Sequence, residues 1–453
     1  GGFLQCQSTV IKRLITMSSL HTLPRSGASY EEVTRQVDEL VEGMTPEQSG
    51  KLSSTAFWGI GDALQIAKET HAKFFSWNAL FTFQEGSAAK LENDVLDICI
   101  DLVGGDEQSR GNLTSGGTES NFCALHAMRN WAREHRPDIT APEIVAPYSI
   151  HSTVHKMAKV LDIKVVTVPQ LADLSADVVG MQAAIGPNTI GIATSAPSWP
   201  YGCVDPIETL GQIAIENDLW LHVDACVGAY IAPFFRELGE EIPAFDLSVP
   251  GVRSISGDLH KYGYAPKPLS TIIWRSQAEQ AYHFIPVTEW PCGLYLSQGF
   301  VGSRPLAPIA AVWALMHHLG HEGYVANAKK LLDIRNAIID KVAAIDGLTT
   351  WPTHGPLLQI AGEDLDIQLV VGAMEQHGWR LLGVLDPPAI HLTIDVLSES
   401  SLEKFLADLE TSVADIKAGK IDTEGLLTYG GVAAEETAPK WLLSAVEIMG
   451  VDH

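Results

Sequence analysis

Paired cysteines, long apolar runs, basic residues and repeats are all scarce in this 453-residue chain. Six cysteines are present, Cys6, Cys99, Cys123, Cys203, Cys226 and Cys292, but they are scattered and form no C-x-x-C pair. That spacing suits neither a disulfide framework nor a zinc site, and it points to a reducing compartment. No apolar run reaches the roughly 20 residues that a bilayer-spanning helix needs. The opening Gly-Gly-Phe-Leu-Gln-Cys-Gln lacks the basic-then-apolar order of a secretory signal. A cytoplasmic protein without a transmembrane anchor is expected, and the residues ahead of Met17 add nothing to the expected fold. Lys and Arg number 30 against 55 Asp and Glu, a formal charge of -25. Such a field repels nucleic acid and anionic membrane surfaces; keeping the surface soluble is explanation enough for it. There is no internal repeat, no low-complexity tract, no Walker loop and no dinucleotide fingerprint.

The chain has the balance of a globular protein, 46% hydrophobic and 19% charged, and is long enough for a large domain plus a smaller one. Ser29 followed by Glu32 has the spacing of a capping box and predicts a leading helix through Val37, Leu40 and Val41. A helical pattern from Leu91 closes near Gly104-Gly105, and a second runs from Thr118 through Trp131, with a Gly-rich turn between them. Short β-rich runs then follow at Ile144-Val145, Lys164 to Val168, Ile190 to Thr194, Trp220 to Val223, Ser254 to Ser256 and Leu269 to Trp274. Helices are expected between them, at Val154 to Leu161, Val178 to Ile185 and Ile207 to Asn217. This alternation implies an α/β fold with a mostly parallel sheet covered on both faces, where ligands sit beyond the carboxyl ends of strands. After a long helical region from Pro308 to about Ile345 the order becomes strand, helix, strand, strand, helix, the signature of a small α/β domain. The division expected is 1–76 for an N-terminal arm and helices, 77–320 for the large domain and 321–453 for the small one.

Three segments carry chemistry. Thr114-Ser115-Gly116-Gly117-Thr118-Glu119-Ser120 places glycines and hydroxyls just before a helix, where exposed N–H groups and the helix dipole suit a phosphate. The same pattern also serves as ordinary turn and N-cap chemistry. His222-Val223-Asp224-Ala225 ends an apolar strand in an acid, which can hold a proton on a ring nitrogen or simply cap the next helix. Ser256-Gly257-Asp258-Leu259-His260-Lys261-Tyr262-Gly263-Tyr264 opens a strand into a loop around a lysine. In a crowded, partly desolvated place that amine is expected to have a lowered pKa and to form a Schiff base; at the surface it would be a solvated charge. Their order along one α/β unit favours the functional reading.

In these three motifs, and in Gly302-Ser303-Arg304-Pro305, the chain resembles the group II pyridoxal-phosphate decarboxylase superfamily, most closely its sphingosine-1-phosphate lyase branch of soluble, bacterial type. The resemblance is strongest from Trp77 to Pro305. It implies the type I, aspartate aminotransferase-like fold, pyridoxal 5'-phosphate as cofactor, and a homodimer acting on a small-molecule amine. It makes Lys261 the lysine that carries the cofactor and Asp224 the partner of its ring nitrogen. His151, in Ser149-Ile150-His151-Ser152, becomes the ring-stacking residue. Ser115, Gly116, Gly117, Thr118 and His260 hold the phosphate, and Gly302 and Ser303 reach the phosphate of the neighbouring subunit, so that the active site is shared. Without the resemblance, His151 reads as a cap or a packed polar residue and G-S-R-P as a turn.

Asn78 in Trp77-Asn78-Ala79-Leu80-Phe81 and Tyr201 in Pro200-Tyr201-Gly202 match residues near the lyase substrate, Tyr201 as a proton carrier in retro-aldol cleavage. Lys267 matches a lysine that binds the substrate phosphate. Where the phosphate-binding lyases have N-P-L-H, however, Phe81 replaces a donor with a ring, which argues against a phosphorylated sphingoid base. Carbon-carbon cleavage of an amino alcohol or β-hydroxy amine, phosphorylated or not, is therefore expected. Amino-acid decarboxylation is the alternative, and a non-catalytic cofactor-fold protein the third reading. In the run of His317, His318 and His321, residues 317 and 321 share a helical face that could seat a metal, but no acidic third ligand is identifiable and no metal is expected.

Overall fold

The computed structural model describes residues 23–42, 57–80, 82, 86–396, 398–421 and 424–425. Before the first sheet come α1 (Tyr30–Glu42), α2 (Ala63–Lys73) and α3 (Gly86–Leu102). Ser29 Oγ accepts from the Glu32 N–H at 3.2 Å, so the expected cap starts α1. The large unit follows as β1 (Arg110–Thr114), α4 (Gly117–His135), β2 (Glu143–Pro147), α5 (Ser152–Val160), β3 (Lys164–Val168), α6 (Val178–Ala183), β4 (Thr189–Ser195), α7 (Ile207–Glu216), β5 (Trp220–Asp224), α8 (Ala232–Glu237), β6 (Val252–Gly257), β7 (Ser270–Trp274) and α9 (Gln277–Ala281). After α10 (Ala307–Ala343) come β8 (Leu348–Thr350), β9 (Leu357–Gly362), α11 (Ile367–Gln376), β10 (Leu382–Leu385), β11 (Pro388–Thr393) and α12 (Ser398–Lys417).

Seven strands lie in the order β1-β7-β6-β5-β4-β2-β3. From β6 to β3 every pairing is parallel, while β7 runs antiparallel between β6 and β1. All seven residues of β4 are buried, as expected of a central strand covered on both faces. The register pairs Asp224 with Ser195 on one side and with Ser256 on the other, so three carboxyl ends finish level. Because β7 reverses direction between β6 and β1, Thr114 ends β1 at the same edge, and the Gly-rich turn opens there.

β1 was not expected from the sequence, which showed only a turn between two helices. Arg110-Gly111-Asn112-Leu113-Thr114 has no apolar alternation, and its pairing depends on a tertiary partner: Trp274 donates its indole N–H to Asn112 Oδ1 at 2.9 Å. The second sheet has the order β10-β11-β9-β8. Its first two strands, β8 and β9, stand where one strand was expected. α10 is broken at Gly320, whose φ of 56° and ψ of -173° lie outside the helical region.

Candidate active site

The carboxyl ends of β4, β5 and β6, the start of α4 and the cap of α5 enclose a cavity of about 260 Å³. Gly116, Gly117 and Thr118, His151, Asp224, His260 and Lys261 all line it. A turn, an acidic strand end, a helix cap and a loop lysine, far apart in sequence, thus converge. Asn121, Thr153, Ser195, Pro197, Trp199, Cys226, Val227 and Asp258 complete the wall.

Each group is held by its local backbone. Asp224 ends β5 and is 6% exposed. Its carboxylate accepts from Asn121 Nδ2 at 2.9 Å, from the Cys226 N–H at 3.1 Å and from Ser256 Oγ at 3.2 Å. Burial alone would raise its pKa, but His151, Asn121, Cys226 and His222 outweigh it and hold the carboxyl below its usual range. A buried anion results, fit to keep a proton on a ring nitrogen. His151 caps α5 through its Nδ1, which accepts from the Thr153 N–H, and also lines the cavity. It therefore caps the helix and faces the cavity at once; burial lowers its pKa.

At Lys261 the expectation of a lowered amine pKa is reversed. Burial disfavours the ammonium, but Asp258 at 2.9 Å, with Cys226 and Asp224 nearby, more than compensates and raises the amine above the ordinary lysine value. Asp258 also accepts from Ser270 Oγ at 2.6 Å, and His260 Nε2 lies 3.7 Å from it. Sequence reading missed Asp258 as the amine's counter-ion, although it stands three residues before Lys261. His260 donates Nδ1–H to the Leu269 carbonyl at 2.7 Å, which turns the ring toward Gly116. At Gly117 a Cβ would stand 2.5 Å from Cys226 Sγ and 3.0 Å from Asp258 Oδ1, so the turn has no room for a side chain there.

The other expected residues stand apart from this cavity. Ser115 is exposed and donates its N–H to Glu119 Oε2 at 2.6 Å. Glu119 also accepts from the N–H groups of Phe300 and Val301, tying the Gly-rich turn to the segment before Gly302. Asn78 donates to Ser303 Oγ at 3.2 Å and accepts from the Arg304 N–H, while Arg304 is buried against Glu92 at 3.0 Å. Asn78, Gly302 and Ser303 thus form one unit outside the cavity. Tyr201 is 2% exposed and donates its hydroxyl to the Asp386 carbonyl at 2.7 Å. Burial, with Tyr148 and Asp386, pushes its phenol up to about 12, which leaves a poor base at neutral pH. Lys267 is exposed and Phe81 lies outside the described residues. His321 pairs with Glu237 at 2.7 Å, and no cluster of three metal-binding side chains occurs among the described residues. Among the described residues, no helix is long and apolar enough to cross a membrane.

An amine, a buried anion, an imidazole and a Gly-rich turn around one cavity suit pyridoxal phosphate: its aldehyde, ring nitrogen, ring face and phosphate would each meet a group of matching chemistry. Comparison with known proteins agrees. Residues 78–347 match the family described as the pyridoxal-dependent decarboxylase conserved domain. The chain is 36% identical over 414 residues to a sphingosine-1-phosphate lyase of Arabidopsis thaliana, covering 88% of this chain and 76% of that one. It is 30% identical to an L-aspartate/L-glutamate decarboxylase of Pyrococcus horikoshii, over 85% of this chain and 98% of that one. Among solved structures, a sphingosine-1-phosphate lyase of Burkholderia pseudomallei superposes with a TM-score of 0.83 at 32% identity, over 89% of this chain and 96% of that one. The chain belongs to the pyridoxal-dependent decarboxylase family, with its type I fold, and is a pyridoxal-phosphate-dependent lyase.

Proposed function

We propose that this lyase cleaves a carbon-carbon bond in an amino alcohol or β-hydroxy amine, releasing an aldehyde and a smaller amine. The reading rests on one observation: Lys261, Asp224, His151 and the Gly116–Thr118 turn share a single cavity in a chain 36% identical to a sphingosine-1-phosphate lyase. Lys261 would hold the cofactor through its amine, Asp224 its ring nitrogen and His151 one ring face. The backbone N–H groups of Gly116, Gly117 and Thr118, with His260, would hold the phosphate. Bound there, pyridoxal phosphate supplies an electron-withdrawing ring conjugated with the substrate's α carbon. Asp258 keeps the lysine amine paired and oriented. Trp199, stacked on His391 with ring centroids 3.8 Å apart, gives the substrate a fixed wall, and the wall decides which substituent stands perpendicular to the ring.

A cytoplasmic homodimer with a shared active site is part of the proposal. Gly302 and Ser303 lie outside their own chain's cavity, beside Asn78 and Tyr295, in segments that also carry exposed Trp77, Trp290, Leu294 and Phe300, the kind of apolar side chains that a subunit interface covers. From there they would complete the partner's phosphate site.

Incubation of the holoenzyme with phosphorylated and unphosphorylated sphingoid bases, and with aspartate and glutamate, separates the reactions. Aldehyde without carbon dioxide is expected, and carbon dioxide alone overturns the lyase reading. Amino-acid decarboxylation is the second reading, supported by the match over nearly the whole Pyrococcus enzyme. Lys261→Ala is expected to lower turnover by at least about 10³-fold and to abolish the yellow colour. Borohydride trapping followed by peptide mapping should place the cofactor on Lys261; a label on another lysine would refute the site.

A further inference from the structure

We propose that Asn121 is a positioning residue that sets both sides of the cofactor site at once, anchoring Asp224 as an anion and fixing His151 as the tautomer protonated on Nε2. The inference rests on the proposed function, in which Asp224 and His151 flank the cofactor ring. Asn121 sits in the first turns of α4, 1% exposed, just past the Gly-rich turn.

The hydrogen bonds around it permit one polarity. The Asp224 carboxylate can only accept, so the amide must present its NH₂ to Oδ2, at 2.9 Å. The amide oxygen then faces His222 Nε2 at 3.0 Å, and an oxygen there requires Nε2 to carry the proton. His222 is fully buried, and burial pulls its pKa down to about 4, so the ring is neutral and Nδ1 has a lone pair. Two Ser254 oxygens face that nitrogen, the carbonyl at 3.2 Å and Oγ at 3.0 Å. Oγ accepts from the Trp220 indole N–H at 2.9 Å and has its own proton to give, so the amide polarity set by Asp224 decides the tautomer. The chain of donors is closed at that end.

Toward the cavity, Asn121 Nδ2 also donates to Thr153 Oγ1 at 2.9 Å. With its oxygen accepting, the Thr153 hydroxyl is directed to His151 Nδ1 at 3.0 Å, and the Thr153 N–H points at the same nitrogen at 3.3 Å. Two donors on Nδ1 leave the imidazole proton on Nε2. A ring presented to the cavity in one tautomer and one orientation is the consequence, held by the helix cap and by the hydroxyl that the Asn121 amide directs.

The test is nitrogen NMR of the protein labelled with ¹⁵N-histidine, with His151 assigned by the signals lost in His151→Gln. In the wild-type chain His151 is expected to show an unprotonated Nδ1 and a protonated Nε2. Thr153→Val removes the hydroxyl and leaves only the longer backbone N–H on Nδ1, so it should admit the Nδ1-protonated tautomer as a detectable second form. Asn121→Ala should do the same and lower kcat about tenfold with KM within about twofold, the loss of one charge-assisted bond to Asp224. If Asn121→Ala does not fold, Thr153→Val decides. A wild-type His151 with its proton on Nδ1, an unchanged single tautomer in Thr153→Val, or a folded Asn121→Ala with unaltered kcat each overturns the inference. Cofactor trapped on a lysine other than Lys261 would instead remove the functional reading while leaving the tautomer result standing.

Discussion

Asp205 shows how strongly one buried group can set the pH behaviour of the cavity wall. It is 3% exposed and accepts from the N–H of Ser195, a residue of the wall, at 2.7 Å. Burial outweighs that bond and pushes the carboxyl up to about 7. An acid with a raised pKa binds its proton more tightly folded than unfolded. Its contribution to stability is complete below the unfolded value near 4 and is lost as pH rises through about 7. Asp205→Asn keeps the acceptor and removes the charge. It should stabilise the protein by roughly 2–4 kcal/mol at pH 8 and leave it unchanged near pH 4, measured by urea unfolding at both values. Lys261 and Asp224 were legible as candidates from residue type and order along one α/β unit, whereas His151 stood out only through the family resemblance. Asn121 and Thr153 were not, since a polar residue inside an amphipathic helix gives no signal until its partners arrive from β5 and α5. The direction of the Lys261 shift also needed the structure, because desolvation and a nearby carboxylate act in opposite senses and only the 2.9 Å distance decides between them.

Among the elements, α10 depends on the break at Gly320. Nothing lies within 4 Å of a Cβ placed there, so a side chain meets no clash. The backbone, with φ 56° and ψ -173°, is instead in a region that non-glycine residues avoid. Gly320→Ala should cost about 1–3 kcal/mol through strain alone, seen as a lower denaturation midpoint with an unchanged slope. The helices and parallel strands were largely visible in the sequence, because 3.6-residue and continuous apolar patterns mark them. β1 was invisible, because a short polar strand owes its place to β7 and to the bond from Trp274. Tyr201 shows the same limit: its ring packs toward Trp351 and its hydroxyl serves the β10–β11 turn, contacts made with the second sheet.

For the whole molecule, acid should be destabilising. Burial lowers His126 and His222 to about 4 and His391 to about 3, so the folded chain leaves three rings neutral that the unfolded chain protonates below about 6.5. Groups with depressed pKa lend stability above the unfolded value and withdraw it as pH falls through the folded one. Asp205 contributes the opposite sign with one proton against three. The protein should be on the order of 5 kcal/mol less stable at pH 4 than at pH 7, with a melting temperature falling over that interval. The proposed dimer predicts complementation. Lys261→Ala and Ser303→Asp, each inactive alone, should on subunit exchange recover about a quarter of wild-type activity, since half of the random dimers carry one intact site. No recovery in a mixture shown by mass spectrometry to contain heterodimers would refute sharing of the site.

From the sequence came the α/β class and the candidate lysine, acid and Gly-rich turn, because strand periodicity and short-range motifs are local properties of the chain; the cofactor came from the resemblance those motifs carry. Tertiary structure alone decided which of the expected residues face one cavity, the charge state of Lys261 and the chain of hydrogen bonds behind Asp224 and His151. Those depend on distances between strand ends, and distances between distant segments are set only when the sheet closes its register.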